Sequence, residues 1–262
     1  MNSYQTEPQH GTVALIDADN TLWDTDAVFR AAQLKLLAGI EVQLGRRYEG
    51  EDRLEFVRAY DQALAFAHHL HLRYPAQLLV RAIEAGFAGQ SADQAARDAI
   101  AGRIPLGDRM REESVQALVS SYVQGLSEPP SLLPTVREAI AIAQSAGFKL
   151  YVMTEGRVER QKKLMDFYEI GEAFEGVWEL TKTQEQFARL VTRFAGMRVI
   201  VVGDQLDRDI VPAKAAGCVA VLVPSRFTPR WNAKRAPESA DVVAHDLLVA
   251  MTWCVETISA AR

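Results

Sequence analysis

The chain has 262 residues, of which 48% are hydrophobic and 24% charged, enough apolar material for one large domain or two ordinary ones. Its formal net charge of −5 argues against general affinity for DNA, RNA or an anionic membrane surface. The two cysteines, Cys218 and Cys254, sit in apolar stretches, so a disulfide framework is unsupported and reduced thiols in a cytoplasmic protein are expected.

The opening MNSYQTEPQHG lacks the basic and apolar regions of a signal peptide and reads as a loose tail. No apolar run is long enough to span a bilayer. The first strand is predicted at residues 13–16, where an apolar run stops at two aspartates, Asp17 and Asp19. Helices are predicted over 27–44, 53–72, 76–88, 91–101 and 111–126, with no convincing strand among them. Breaks fall at Gly45, Tyr74-Pro75, Gly86 and Gly89, and Ile104-Pro105.

The stretch SEPPSLLP ends this helical region, and strand-like and helix-like segments then alternate. Strands are predicted at 149–153, 199–202 and 219–223, with a weaker one at 176–180. Helices are predicted at 158–168, at 186–194 behind a Thr183-x-x-Gln186 capping box, and at 209–216 ending in Gly217. A last helix over 245–259 carries Leu247, Leu248, Met251, Val255 and Ile258 on one stripe. Continuous apolar strands alternating with helices predict a doubly wound α/β fold with a parallel sheet covered on both faces. Its core would be discontinuous, 1–24 and 134–262, interrupted by an all-helical module over 25–133.

Polar groups recur at the carboxyl ends of the predicted strands. Asp17 and Asp19 follow VALI, Thr154 follows KLYVM, Lys182 follows VWEL, and Asp204 follows VIVVG with Asp209 five residues on. Open α/β sheets build their ligand crevice at that edge. Taken singly, the aspartates could cap helices, Thr154 could serve a turn and Lys182 could be solvated. Converging on one edge, they suit binding.

Asp17 and Asp19 project to the same side of an extended segment, so with Asp204 nearby they demand a counter-charge. A hard divalent cation meets that demand, and Mg²⁺ commonly binds through carboxylates together with phosphate oxygens. Lys182 and the Thr154 hydroxyl add donors suited to an anionic, phosphorylated small molecule. A carboxylate beside such a phosphoryl group can attack phosphorus and form an aspartyl-phosphate. Asp17 is the nucleophile candidate. Asp19 is the candidate acid/base, protonating the leaving oxygen and then taking a proton from water.

These residues also resemble the signatures of the haloacid dehalogenase superfamily. DADNTLWD resembles the first, MTEG supplies the threonine, LTKTQEQF the lysine, and VVGDQLDRDI the Gly-Asp-x4-Asp pattern. The resemblance covers residues 11–24 and about 135–245, and the helical insertion resembles the family's cap module. It implies a Mg²⁺-dependent phosphohydrolase in which Asp17 is nucleophile and metal ligand, and Asp19 is acid/base with its backbone carbonyl on the metal. Thr154 and Lys182 would hold the phosphoryl group, Asp204 would ligate the metal, and Asp209 would support it. Dehalogenases of the superfamily lack the second aspartate, so Asp19 tilts the reading toward phosphate chemistry. A 2-haloacid dehalogenase and a non-catalytic phosphate- and metal-binding protein are the alternatives. Nothing in the pattern selects an oligomeric state.

Two positions depart from the signatures: Glu155 stands where asparagine is frequent, and Arg208 replaces a common asparagine. Lys182 also lacks the proline that often follows, with Lys162 and Lys163 as alternatives inside a predicted helix. His68, His69 and His71 have no carboxylate or thiol nearby to complete a metal site. His71, Arg73 and Tyr74, together with Glu155, are candidates for substrate specificity. Trp23 reads as core. Arg226, Arg230, Lys234 and Arg235 read as a solvated loop rather than a nucleic-acid contact.

Overall fold

The computed structural model describes residues 11–68, 74–103, 110–232 and 239–260, with side chains described up to residue 257. The expected tail, the end of the helix predicted over 53–72, the break at Ile104-Pro105, and Lys234 and Arg235 lie outside the described residues. The side chain of Ile258 does too.

Strands β1 (Thr12–Asp17), β2 (Phe148–Thr154), β3 (Gly176–Glu179), β4 (Arg198–Gly203), β5 (Val219–Leu222) and β6 (Val242–Val243) form one parallel sheet in the order β3-β2-β1-β4-β5-β6. The alternation of side chains explains why the Val13–Ile16 stretch of β1 is apolar throughout. Ala14 and Ile16 enter a cluster with Leu150, Val152, Ile200 and Val202, while Val13 and Leu15 enter another with Met153, Val199, Val201 and Phe187. Both faces are therefore buried, and all six β1 residues are too.

Helices α6 (Val136–Ser145) and α10 (Leu247–Ala260) supply Val136, Ala139, Ile140, Leu247, Ala250, Met251 and Cys254 to the first cluster. Leu164 and Met165 join them from α7 (Val158–Phe167). Helices α8 (Gln184–Arg193) and α9 (Val211–Ala215) cover the other face through Phe187 and Ala213. Thr183 caps α8 by accepting the Gln186 main-chain N–H at 3.3 Å. The reciprocal half of the expected box is absent, since the Thr183 N–H donates to the Thr181 carbonyl. Gly217 follows α9 with φ +86°, the left-handed conformation that closes a helix cheaply only with glycine.

One prediction needs correction. The helix expected over 209–216 is split into a wide π-type turn, Leu206–Ile210, and the short α9. Pro212 lacks an N–H and suits a helix start, so the regular helix begins late, and the turn before it is free to re-aim Asp209.

The chain divides into two units. One holds the sheet and comprises the chain up to Asp26, Pro130–Thr228 and Asn232–Arg262. The other comprises Ala27–Pro129 and the short piece Pro229–Trp231. In this second unit lie α1 (Thr25–Leu44, from Ala27 onward), α2 (Arg53–Ala67), α3 (Ala76–Phe87), α4 (Ala92–Ile100) and α5 (Glu112–Leu126). They share their own core, centred on Leu37, Ile40, Leu64, Leu79, Ile83 and Val115. Arg230 belongs to it as well: its guanidinium pairs with Asp93 at 2.6 Å, so this charge of the basic loop is already partnered. Among the described residues, no helix is long and apolar enough to cross a membrane.

Candidate active site

The register aligns the carboxyl ends of the central strands. Asp17 lies opposite Met153, one residue before Thr154, and Ile16 lies opposite Val202, two before Asp204. The strand order reverses direction between β1 and β4, which is where a doubly wound sheet opens its crevice.

Three carboxylates meet there. One oxygen from each of Asp17, Asp204 and Asp209 lies within 4.8 Å of the others. All three side chains are buried. Lys182, also buried, places Nζ 2.5 Å from Asp17 Oδ1 and 2.5 Å from Asp209 Oδ1. Lys162 and Lys163, the alternatives, lie on α7 instead.

Gly203 is what lets Asp209 approach. A Cβ at this position would sit 2.3 Å from the Asp209 Cγ, far inside contact distance. The π-type turn then anchors Asp209: its main-chain N–H donates to the Gln205 carbonyl, and its carboxylate accepts the Gln205 N–H at 3.0 Å.

The electrostatics follow from burial. Burial opposes the charge on Lys182, but the facing Asp17 and Asp209 carboxylates prevail and hold it as ammonium. Burial pushes Asp17 well above the usual carboxylate range against the pull of Lys182, with Asp209 and Asp204 adding to the rise. The Asp204 carboxyl is pushed up to about 7 by burial and by the Asp209 charge. One ammonium cannot balance three carboxylates. Fully ionised, the cluster keeps two uncompensated negative charges, the charge of one divalent cation. Asp204 Oδ1 is also buried with no hydrogen-bond partner among the described residues. The donor set therefore fits a hard divalent ion.

Asp19 takes a different place. Its carboxylate is not part of the trio, and its Oδ1 accepts the Thr25 hydroxyl at 2.8 Å. Asn20, the next residue, occupies the left-handed region at φ +60°. Its side chain accepts the Asp26 N–H at 2.8 Å and donates to Asp204 Oδ2 at 3.4 Å. Sequence reading passed over Asn20, although asparagine directly after Asp-x-Asp marks a turn with positive φ.

The chain belongs to the haloacid dehalogenase-like hydrolase family. A model of that family matches residues 12–217, which spans every residue of the cluster. No curated protein matches the chain. Among solved structures, this family member is similar to a haloacid dehalogenase-like family hydrolase from Xanthomonas campestris, with 19% identity and a TM-score of 0.60 over 97% of this chain and 100% of the other. It is similar to YfnB from Bacillus subtilis, a magnesium-bound protein assigned to the HAD hydrolases, with 18% identity and a TM-score of 0.56 over 96% and 100%. A predicted phosphoglycolate phosphatase from Haemophilus somnus gives 15% identity and a TM-score of 0.58 over 93% and 98%. At these identities the likeness is one of fold.

The two departures from the family signatures meet. Arg208 Nε donates to Glu155 Oε2 at 2.9 Å, its Nη2 contacts Oε1, and Glu155 Oε1 also accepts the Lys182 main-chain N–H at 3.0 Å. The extra anion beside Thr154 is thus neutralised locally. Thr154 Oγ1 accepts the Gly156 N–H at 2.9 Å. Trp23 is fully buried, as expected of core, but its indole N–H donates to Gln161, a residue the sequence reading passed over.

Of the specificity candidates, His71 and Arg73 lie outside the described residues. Tyr74 lies in the helical unit, where its hydroxyl donates to Asp61 while Gln33 donates to the same carboxylate at 3.2 Å.

Proposed function

We propose that this hydrolase removes phosphate from a small organic phosphomonoester through an aspartyl-phosphate on Asp17, with Mg²⁺ as cofactor. The observation that carries the reading is the buried trio Asp17, Asp204 and Asp209 facing a single lysine ammonium. These carboxylates, with the Asp19 backbone carbonyl by family resemblance, would hold the ion, which when bound supplies the positive charge that draws a phosphate dianion toward an anionic nucleophile.

The residues divide the work. Lys182 partners Asp17 before substrate arrives and is placed to share its charge with phosphoryl oxygens. A Thr154 donor suits the same oxygens. An Asp17 oxygen attacks phosphorus as the bond to the leaving oxygen breaks, and Asp19 gives that oxygen its proton. Asp19 then takes a proton from the water that attacks the aspartyl-phosphate, which releases phosphate and restores Asp17. Asp19 also favours this reading over the dehalogenase, whose ester is hydrolysed without such a group.

The helical unit takes the role of the family's cap and with it the choice of substrate, for which His71, Arg73 and Tyr74 are the candidates. The enzyme is assigned to the cytoplasm, where the buried thiols Cys218 and Cys254 stay reduced. A phosphate-release screen over sugar phosphates, nucleotides, phosphoglycolate and phosphoamino acids tests the reading, with Asp17→Asn as the blank. Activity that needs Mg²⁺ and vanishes in Asp17→Asn is expected. No release from any substrate in the panel overturns it.

A further inference from the structure

A buried chain of hydrogen bonds runs from the loop after β1 to the hydroxyl of Thr154. Trp23 Nε1 donates to Gln161 Oε1 at 2.8 Å, and Gln161 Nε2 donates to Thr154 Oγ1 at 3.4 Å. None of the three is exposed by more than 1%. An indole N–H is a donor and nothing else, so it fixes which end of the Gln161 amide it meets. The carbonyl end turns to Trp23, and the NH₂ end is left facing Thr154.

Thr154 Oγ1 therefore receives two N–H groups, one from Gln161 and one from Gly156 at 2.9 Å. A hydroxyl has two acceptor sites and one proton. With both acceptor sites taken, its remaining capacity is to donate, and among the described residues no group accepts that proton. A phosphate dianion offers only acceptors. Were the Gln161 amide reversed, Thr154 would spend its proton on the amide oxygen and meet phosphate with lone pairs.

We infer that Trp23 and Gln161 are positioning residues which set the polarity of the Thr154 hydroxyl, making it an obligate donor to the substrate's phosphoryl group. The inference rests on the phosphatase reading above and deepens it. Neither residue touches substrate: Trp23 acts on Gln161, and Gln161 acts on Thr154. Packing alone gives no reason for the chain, because apolar side chains of similar shape would fill the same space without burying two polar groups.

Calorimetric titration of the Mg²⁺-loaded protein with inorganic phosphate tests this. Gln161→Met keeps the length of the side chain and removes both hydrogen bonds, and the phosphate Kd is expected to rise about fivefold. Thr154→Val should weaken phosphate by a similar factor, and adding Gln161→Met to it should cost nothing more, because the glutamine acts only through that hydroxyl. Should Gln161→Met fail to fold, Trp23→Phe serves in its place: it keeps a large ring, frees the amide to turn, and should raise the Kd about threefold. An unchanged Kd alongside a lowered melting temperature overturns the inference, as does a full additional loss in the Thr154→Val background. Absence of phosphate binding by the unaltered protein is a separate result, and overturns the phosphatase reading itself.

Discussion

Glu155 and Arg208 form an ion pair that also holds the loop carrying Lys182. Arg208 Nε donates to Glu155 Oε2 at 2.9 Å, and Glu155 Oε1 accepts the Lys182 N–H at 3.0 Å. Each residue alone departs from its family signature. Together they cancel charge next to Thr154 and tie the second signature to the third and fourth.

Arg208→Ala is expected to leave Glu155 as a bare anion beside Thr154, the proposed phosphate ligand. For a pair of side chains 29% and 32% exposed the effect is modest, so KM for an aryl phosphate should rise about two- to fivefold with a smaller change in kcat. Adding Glu155→Gln should recover most of the loss. If the double variant is worse than Arg208→Ala, steady-state kinetics will have shown that the pair does not act through charge.

Lys182→Met removes the only cation that, among the described residues, pairs with the cluster of three buried carboxylates. Activity should fall by roughly a hundredfold or more. In urea denaturation the metal-free protein should lose about 3 kcal/mol, the cost of leaving buried charge unpaired. Saturating Mg²⁺ should return part of that stability. A metal-free variant as stable as the parent would contradict the electrostatic picture.

The pH dependence has a definite sign. Asp204 is pushed up to about 7 by burial and by Asp209, and burial raises Asp17 and Asp209 as well. Between the unfolded carboxylate pKa near 4 and these raised values, the folded chain binds more protons than the unfolded one, so stability falls as pH rises. The metal-free melting temperature should therefore be lower at pH 7.5 than at pH 5.5. Added Mg²⁺ should raise it more at pH 7.5, where fewer protons compete for the Asp204 carboxylate. Scanning calorimetry at the two pH values decides, and equal shifts would contradict the assignment.

Gly203→Ala places a methyl group 2.3 Å from the Asp209 Cγ, so the π-type turn must move. About 1–3 kcal/mol of stability should be lost, as in other overpacked sites. Because the displaced residue belongs to the carboxylate trio, Mn²⁺ or Mg²⁺ affinity should fall together with the urea midpoint. Retained affinity would mean that Asp209 is not needed to hold the ion.

Much of this was legible from pattern alone, for physical reasons. A strand buried on both faces has no polar phase, so runs such as VALI and VIVV stand out, and the residues that follow them mark one sheet edge. Helix α6 was not anticipated because two of its four buried contacts, Ala139 and Ala143, are alanines and leave a faint stripe. β6 is two residues long, too short for any periodicity. Gln161 is one polar residue among several within VERQKKLMD, and only its spacing to Leu164 and Met165 places it on the buried face. The Glu155–Arg208 pair joins positions 53 residues apart and has no local signal at all.

The place of β1 in the sheet also bears on how the protein is made. Of the described elements it is synthesised first, yet both of its flanking strands, β2 and β4, come from beyond Gly147. At about 5–20 residues per second, its apolar run Val13–Ile16 waits on the order of ten seconds for a partner. Over the same interval the helices of the other unit, with their own core, are completed. Arrested nascent chains should therefore yield a protease-resistant helical fragment first. Protection of the segment around Val13–Ile16 should follow only in chains long enough to have released β4.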